Sequence, residues 1–276
     1  EYYADDSQYG GFNIHFMFKE KDEVIVSAET TILKEAGETR TSLYALKSDY
    51  SPVLSFDTYN PILHQFSDPE PDGTGYNGDY EFIIMSADED KFELKGKKHG
   101  VRMTLTRMAK EVDWIDFKSN VDTIAKYNPG FCMEMIVNNK RIAVTESDKL
   151  GRYLTFETTN DSTSNYVAET PFIYTPTGLK FKDPVEIEGV EMQNFSIDNE
   201  GKLACTDGNV NAYIQQIPLN KAFVDNKCFW YLDADRMGPR ITMLYNNVIK
   251  NLDEILDEEL LYLFFRSPYE LLYLMS

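Results

Sequence analysis

Residues 12–26 read Phe12-Asn13-Ile14-His15-Phe16-Met17-Phe18, then Lys19-Glu20-Lys21-Asp22, then Glu23-Val24-Ile25-Val26. Phe12, Ile14, Phe16 and Phe18 recur at every second position, the period of a strand with one buried face. The four charged residues form a polar turn and the apolar triplet brings the chain back, so the pattern predicts an antiparallel hairpin. The same alternation continues on either side of short polar turns. Leu43-Tyr44-Ala45-Leu46 and Val53-Leu54-Ser55-Phe56 flank residues 47–52, and 80–85, 91–95 and 101–107 extend the meander. Later in the chain 131–137, 141–145, 152–157, 171–174, 179–181, 192–197, 202–205, 211–217 and 228–232 read as strands too.

Two segments keep a helical period instead. Trp114, Phe117, Val121, Ile124 and Ala125 lie on one helical face, with Asp113 placed to cap the N-terminus and Pro129-Gly130 to end the helix. Ile241, Leu244, Tyr245, Val248, Ile249, Leu252, Ile255 and Leu256 predict a second helix over 240–257, opened by Gly238-Pro239. Residues 260–265 and 271–275 return to strand. The two β stretches resemble each other in order: Ser42-Leu43-Tyr44, Val53–Phe56, Tyr80-Glu81-Phe82 and Phe92–Gly96 against Phe172-Ile173-Tyr174, Gly178–Phe181, Gln193-Asn194-Phe195 and Lys202-Leu203. About a dozen extra residues, near 61–78, set the first apart, which points to a duplication. The expected fold is mainly β: two related antiparallel β-meander units, each a sandwich or half-barrel, with a connector helix and a C-terminal helix. The expected boundaries are 1–110 for the first unit, 111–128 for the connector, 129–238 for the second unit and 239–276 for the last helix and tail strands.

The 276 residues carry 27 Lys and Arg against 46 Asp and Glu, a formal net charge of −19. Such a chain lacks the clustered cations that displace counterions from nucleic acid, and an anionic bilayer repels it. With 42% hydrophobic and 13% aromatic residues it can bury a core, and no apolar run is long enough for a membrane helix. Cys132, Cys205 and Cys228 are too far apart for a zinc ribbon or a Cys-x-x-Cys redox pair. His15, His64 and His99 form no zinc-protease motif, and no nucleophile elbow or phosphate-binding loop is present.

The strings Glu1-Tyr2-Tyr3, Tyr9-Gly10-Gly11-Phe12, Ser42-Leu43-Tyr44, Val53-Leu54-Ser55-Phe56-Asp57-Thr58-Tyr59, Gly78-Asp79-Tyr80-Glu81-Phe82 and Leu94-Lys95-Gly96-Lys97-Lys98 resemble a family of predicted lipoproteins of gut Bacteroidetes. That family is catalogued as a domain of unknown function, number 4302, and the resemblance is dense over residues 1–108. It implies export, a lipoprotein signal with an acylated cysteine upstream of Glu1, and anchoring at the cell envelope, in the periplasm or on the outer-membrane surface. It supplies no activity and no active-site residues.

Two constellations carry candidate chemistry. In the loop 68–79, Asp68, Glu70, Asp72 and Asp79 fall at positions 1, 3, 5 and 12 with Gly73 at position 6, the spacing of a calcium loop. Pro69, Pro71 and the short Asp79 depart from that pattern, and a solvated acidic turn explains the same composition. The expectation is therefore no cofactor, with calcium at Asp68, Glu70, Asp72 and Asp79 as the alternative. Tyrosine is abundant, at 18 residues, and Tyr59 and Tyr76 beside Asp72, Asn77 and Asp79 can stack on a polar ligand and hydrogen-bond it. The leading functional expectation is a non-enzymatic envelope protein binding an extracellular ligand, either a glycan or a partner protein. The alternatives are a hydrolase with an unrecognised carboxylate pair and a structural or adhesive surface component.

Overall fold

The computed structural model describes residues 1–3, 10–29, 39–68, 76–126, 133–146, 152–160, 163–218, 229–231, 243, 245–247, 250–251, 260–266 and 270–275. The chain is mainly β and its strands pair antiparallel. Strands β1 (Tyr2–Tyr3), β2 (Ile14–Phe18), β3 (Glu23–Ala28), β4 (Arg40–Leu43), β5 (Ala45–Asp49), β6 (Ser51–Ser55), β7 (Glu81–Ala87), β8 (Lys91–Gly96) and β9 (Arg102–Thr106) build the first half. They form a sheet β1-β9-β8-β7-β6-β5 and a sheet β2-β3-β4. The predicted hairpin is the β2–β3 pair, with Phe16 opposite Val26. Ile14 faces the core and Phe16 packs against it, while Phe18 stays exposed beside the Tyr44 ring.

Strands β10 (Met133–Val137), β11 (Lys140–Glu146), β12 (Tyr153–Asn160), β13 (Thr163–Thr175), β14 (Gly178–Ile187), β15 (Val190–Ile197), β16 (Leu203–Cys205) and β17 (Ala212–Gln216) close into an eight-stranded barrel. The first half follows the same order. Its β1 pairs with β9 and, through two 2.9 Å bonds between Tyr2 and Phe12, reaches the chain that enters β2. Strands β4 and β5 are parted only at Tyr44, and they divide their partners as β13 does. β4 lies on β3 and β5 on β6, just as residues 163–171 lie on β12 and 172–175 on β14.

Burial repeats with the topology. Leu54, Phe56, Phe82, Leu94 and Met103 fill the first half from the strand positions that Leu179, Phe181, Phe195, Leu203 and Ile214 occupy in the barrel. Phe56 meets Phe82 edge-on at 6.2 Å, and Phe181 meets Phe195 at 4.9 Å. Each fully buried side chain of this size contributes about 1.5–3 kcal/mol. This ordered correspondence supports the two related β units read from the sequence.

Helix α1 (Pro61–His64) is a single turn, and α2 (Trp114–Lys126) is the expected connector helix. Asp113 caps α2 by accepting from the Ile115 N–H at 2.7 Å. Trp114 stacks on His15 at 4.9 Å and donates to Ser27 Oγ, so the first residue of α2 is held on β2 and β3, while the helix itself lies against β13. The chain divides into two compact bodies, 1–129 with 134–215, and 130–133 with 216–276. In the second, β18 (Phe229–Tyr231), β19 (Leu260–Arg266) and β20 (Glu270–Met275) form a sheet. Of the helix expected over 240–257, Met243, Tyr245, Asn246, Asn247, Lys250 and Asn251 are helical, and the other positions lie outside the described residues. No helix among the described residues is long and apolar enough to cross a membrane.

Candidate functional site

The two halves differ most in the connection between β6 and β7 and its counterpart between β14 and β15. In the barrel, β14 and β15 are joined by Glu188 and Gly189, both at positive φ, the signature of a tight hairpin turn. In the first half, residues 56–80 stand between β6 and β7. Pro61 begins α1 at a position that needs no N–H donor, and Asn60 caps it by accepting from the Ile62 N–H at 3.1 Å. The buried Asn60 amide also donates to Ser42 Oγ at 3.1 Å and so ties the helix to β4. Ile62, Leu63 and Phe66 turn into the core, where the Phe66 ring lies 4.8 Å from Tyr2 and 5.4 Å from Phe12. The insertion therefore plugs the first half with its apolar side chains.

Two of its polar aromatic side chains, Tyr59 and Tyr80, remain outside. His64 lies among Tyr59, at 5.1 Å, and Tyr80, stacked at 5.0 Å and 17°. Its burial holds the imidazole pKa below the ordinary value, opposed by the Asn60 backbone and by Asp68, so the ring is neutral at pH 7. Tyr59 is 63% and Tyr80 45% exposed, against 9% for His64. The Tyr59 hydroxyl donates to Asp68 Oδ2 at 2.6 Å, and this bond to the carboxylate raises the phenol pKa.

The residues singled out in the sequence part company here. Tyr59 and Asp68 meet on the surface. Tyr76 is half-buried and packs against the core. Asn77 is exposed in a left-handed turn at φ +50. Asp79 is buried, and its carboxylate accepts from the Lys98 N–H at 2.9 Å, from the His99 N–H at both oxygens and from the Val101 N–H at 3.2 Å. A cation at Asp79 would have to displace those bonds. Glu70 and Asp72 lie outside the described residues. Among the described residues no cluster of three or more His, Cys, Asp and Glu is placed to hold a metal. Sequence reading did not place His64 and Tyr80 in this group. Tyr80 reads as the start of a strand, and a single helical turn leaves no period to find.

A close carboxylate pair does exist at the base of the insertion. Ser55 Oγ donates to Asp57 Oδ1 at 2.6 Å and lies 3.2 Å from Glu81 Oε1, and Lys47 Nζ reaches the same two acids at 2.6 and 3.5 Å. The Lys47 and Ser55 bonds hold the Asp57 carboxyl below its ordinary pKa. A general acid needs the opposite shift.

The strings that carry the family resemblance have structural work in this fold. A Cβ on Gly10 would lie 2.0 Å from the Arg152 carbonyl oxygen, and one on Gly96 would lie 1.9 Å from Asp79 Oδ2. The Asp79 N–H donates to the Tyr2 hydroxyl at 3.3 Å. The family model described as "Domain of unknown function (DUF4302)" matches residues 1–199, and the chain belongs to that family. No curated protein and no solved structure matches it.

Proposed function

We propose that this member of the family is a non-enzymatic protein of the cell envelope, exported and lipid-anchored, that binds an extracellular ligand on the face built by residues 56–68 and 76–80. One observation carries the reading: the second half closes the same strand order with a two-residue turn, so the fold has no need of the insertion's exposed rings. Long ordered connections on a rigid scaffold are where binding residues concentrate. Tyr59 and Tyr80 supply broad, stiff contact area at little entropic loss, Asp68 supplies a polar partner at the Tyr59 hydroxyl, and the exposed Asn77 lies three residues before Tyr80. The envelope location and the lipid anchor rest on the resemblance to predicted lipoproteins, and fatty-acid labelling of the full-length precursor tests them.

Binding is tested by titrating the purified protein against polysaccharide and protein fractions of the extracellular medium. Tyr59→Ala with Tyr80→Ala should abolish the interaction. Tyr166→Ala, which removes an equally exposed tyrosine from β13 of the barrel, should leave it intact. Equal losses from both would place the binding face elsewhere.

A further inference from the structure

Resting on that reading, we propose that the Tyr59–His64–Tyr80 surface takes an uncharged glycan, with the tyrosine rings meeting the C–H faces of the sugars and Asp68 accepting their hydroxyl hydrogens. The ring succession is held from behind. His64 is fixed by the Asn60 cap, whose N–H approaches Nδ1 at 3.2 Å, and α1 is anchored by Ile62 and Leu63 in the core. The platform is therefore in place before any ligand arrives, which lowers the entropy lost on binding. Its neighbourhood decides between ligand classes. A stable protein partner needs an apolar patch large enough to bury about 800 Å² on each side. Here the exposed polar residues Asp57 and Thr58 precede Tyr59 in the chain, Asn77 precedes Tyr80, and Asp68 takes the Tyr59 hydroxyl, short side chains that offer acceptors rather than apolar area. A sugar supplies both parts of the match, weakly polarised C–H groups for the ring faces and O–H donors for the carboxylate.

Charge narrows the class further. The chain carries −19 overall, and the platform itself holds a carboxylate and a histidine kept neutral by burial. A sulfated or uronate-bearing chain would face Asp68, would find the neighbouring Lys47 already paired with Asp57 and Glu81, and would be repelled by the field of the whole molecule. Neutral hexoses and N-acetylhexosamines carry no such penalty.

The test uses the whole chain on an immobilised panel of neutral hexose and N-acetylhexosamine oligosaccharides, with sulfated and uronate-bearing oligosaccharides as the charged arm. We expect retention on members of the neutral arm alone, insensitive to salt between low and physiological ionic strength. Tyr59→Ala and Tyr80→Ala should each weaken it at least ten-fold, and Asp68→Asn several-fold, with melting temperatures close to that of the parent. Tyr59→Phe keeps the ring and removes the hydroxyl bond to Asp68, so it should retain most of the affinity. Retention only on the charged arm, or on neither, overturns the proposal, as does neutral binding that survives both tyrosine substitutions. The broader reading stands or falls separately: if no glycan binds but a purified envelope protein does, and Tyr59→Ala releases it, the face binds a ligand and only the glycan assignment falls.

Discussion

Arg152 shows how much a single residue can hold. It is 3% exposed, adopts φ +63, and lies with its guanidinium over the rings of Phe12 at 4.4 Å and Tyr174 at 4.9 Å. It donates to the Gly11 carbonyl at 2.7 Å and to Glu29 Oε1 at 2.8 Å, and that same oxygen accepts from the Asn13 N–H at 2.5 Å. Gly10 is packed so closely on Arg152 that any side chain there strikes its backbone. A buried charge without its partner is far worse than no charge at all. Arg152→Met should therefore lower the unfolding free energy by about 3–5 kcal/mol, because Glu29 is left in the core without its partner. Adding Glu29→Leu should return much of that loss. Urea unfolding at pH 7 measures both, and a double variant as unstable as the single one would remove the ion pair from the account. Asp79 makes a parallel case: Asp79→Ala takes the acceptor from the Lys98, His99 and Val101 N–H groups, and charge-assisted bonds of this kind contribute about 1.5–3 kcal/mol each. The melting temperature should fall clearly, and hydrogen exchange should quicken at residues 98–101 first.

At the scale of elements, two helices are each seated by a histidine that burial keeps neutral. His15 carries Trp114 of α2, and His64 holds α1 between Tyr59 and Tyr80. Desolvation lowers both pKa values in the folded state. The unfolded chain therefore binds these protons more readily, and the sign follows: their contribution is complete above the unfolded value of about 6.5 and is lost as the pH falls through the lower folded values. Unfolding free energies measured from pH 7.5 down to 5 should decline, and the decline should flatten in His15→Phe with His64→Phe. An unchanged slope in the double variant would assign the effect to carboxylates. The strands were legible because Phe12–Phe18 and Val24–Val26 carry a clean period of two, and α2 because Asp113 and its apolar stripe follow helical rules. The full length of β13 was not, since Thr163-Ser164-Asn165 has the polar composition of a loop until its pairing with Thr158–Asn160 is known. For the site, Tyr59 and Asp68 could be picked out by composition and spacing. Tyr80 and His64 could not, because they reach the cluster only through the fold, and the burial of Asp79 depends on N–H groups about twenty residues away.

Across the whole molecule, the described repeat poses a question of cooperativity. The first half and the barrel run through the same strand order, and each has its own set of buried phenylalanines. Independent folding of two such units would be the default for domains with separate cores. The contacts between them argue otherwise. The Gly11 N–H donates to the Phe172 carbonyl at 2.8 Å, Asn13 Nδ2 donates to the Tyr174 carbonyl at 2.9 Å, and the buried Arg152–Glu29 pair joins β3's end to the start of β12. Opening one half alone would expose that pair's apolar surroundings and leave each charge beside half of its cage. The two halves should therefore unfold together. Native-state hydrogen exchange should give the slowest amides of β7 and β8 the same opening free energy as those of β14 and β15, with the same denaturant dependence. In the Glu29→Leu, Arg152→Met double variant the charged reason for joint opening is gone while the apolar contact remains. The two sets of amides should then separate, the first half opening at lower free energy because its plug is a single helical turn rather than a closed ladder. Two different opening energies already in the parent chain would show that the junction does not couple the halves. Equal energies that persist in the double variant would assign the coupling to the backbone bonds of Gly11 and Asn13 instead.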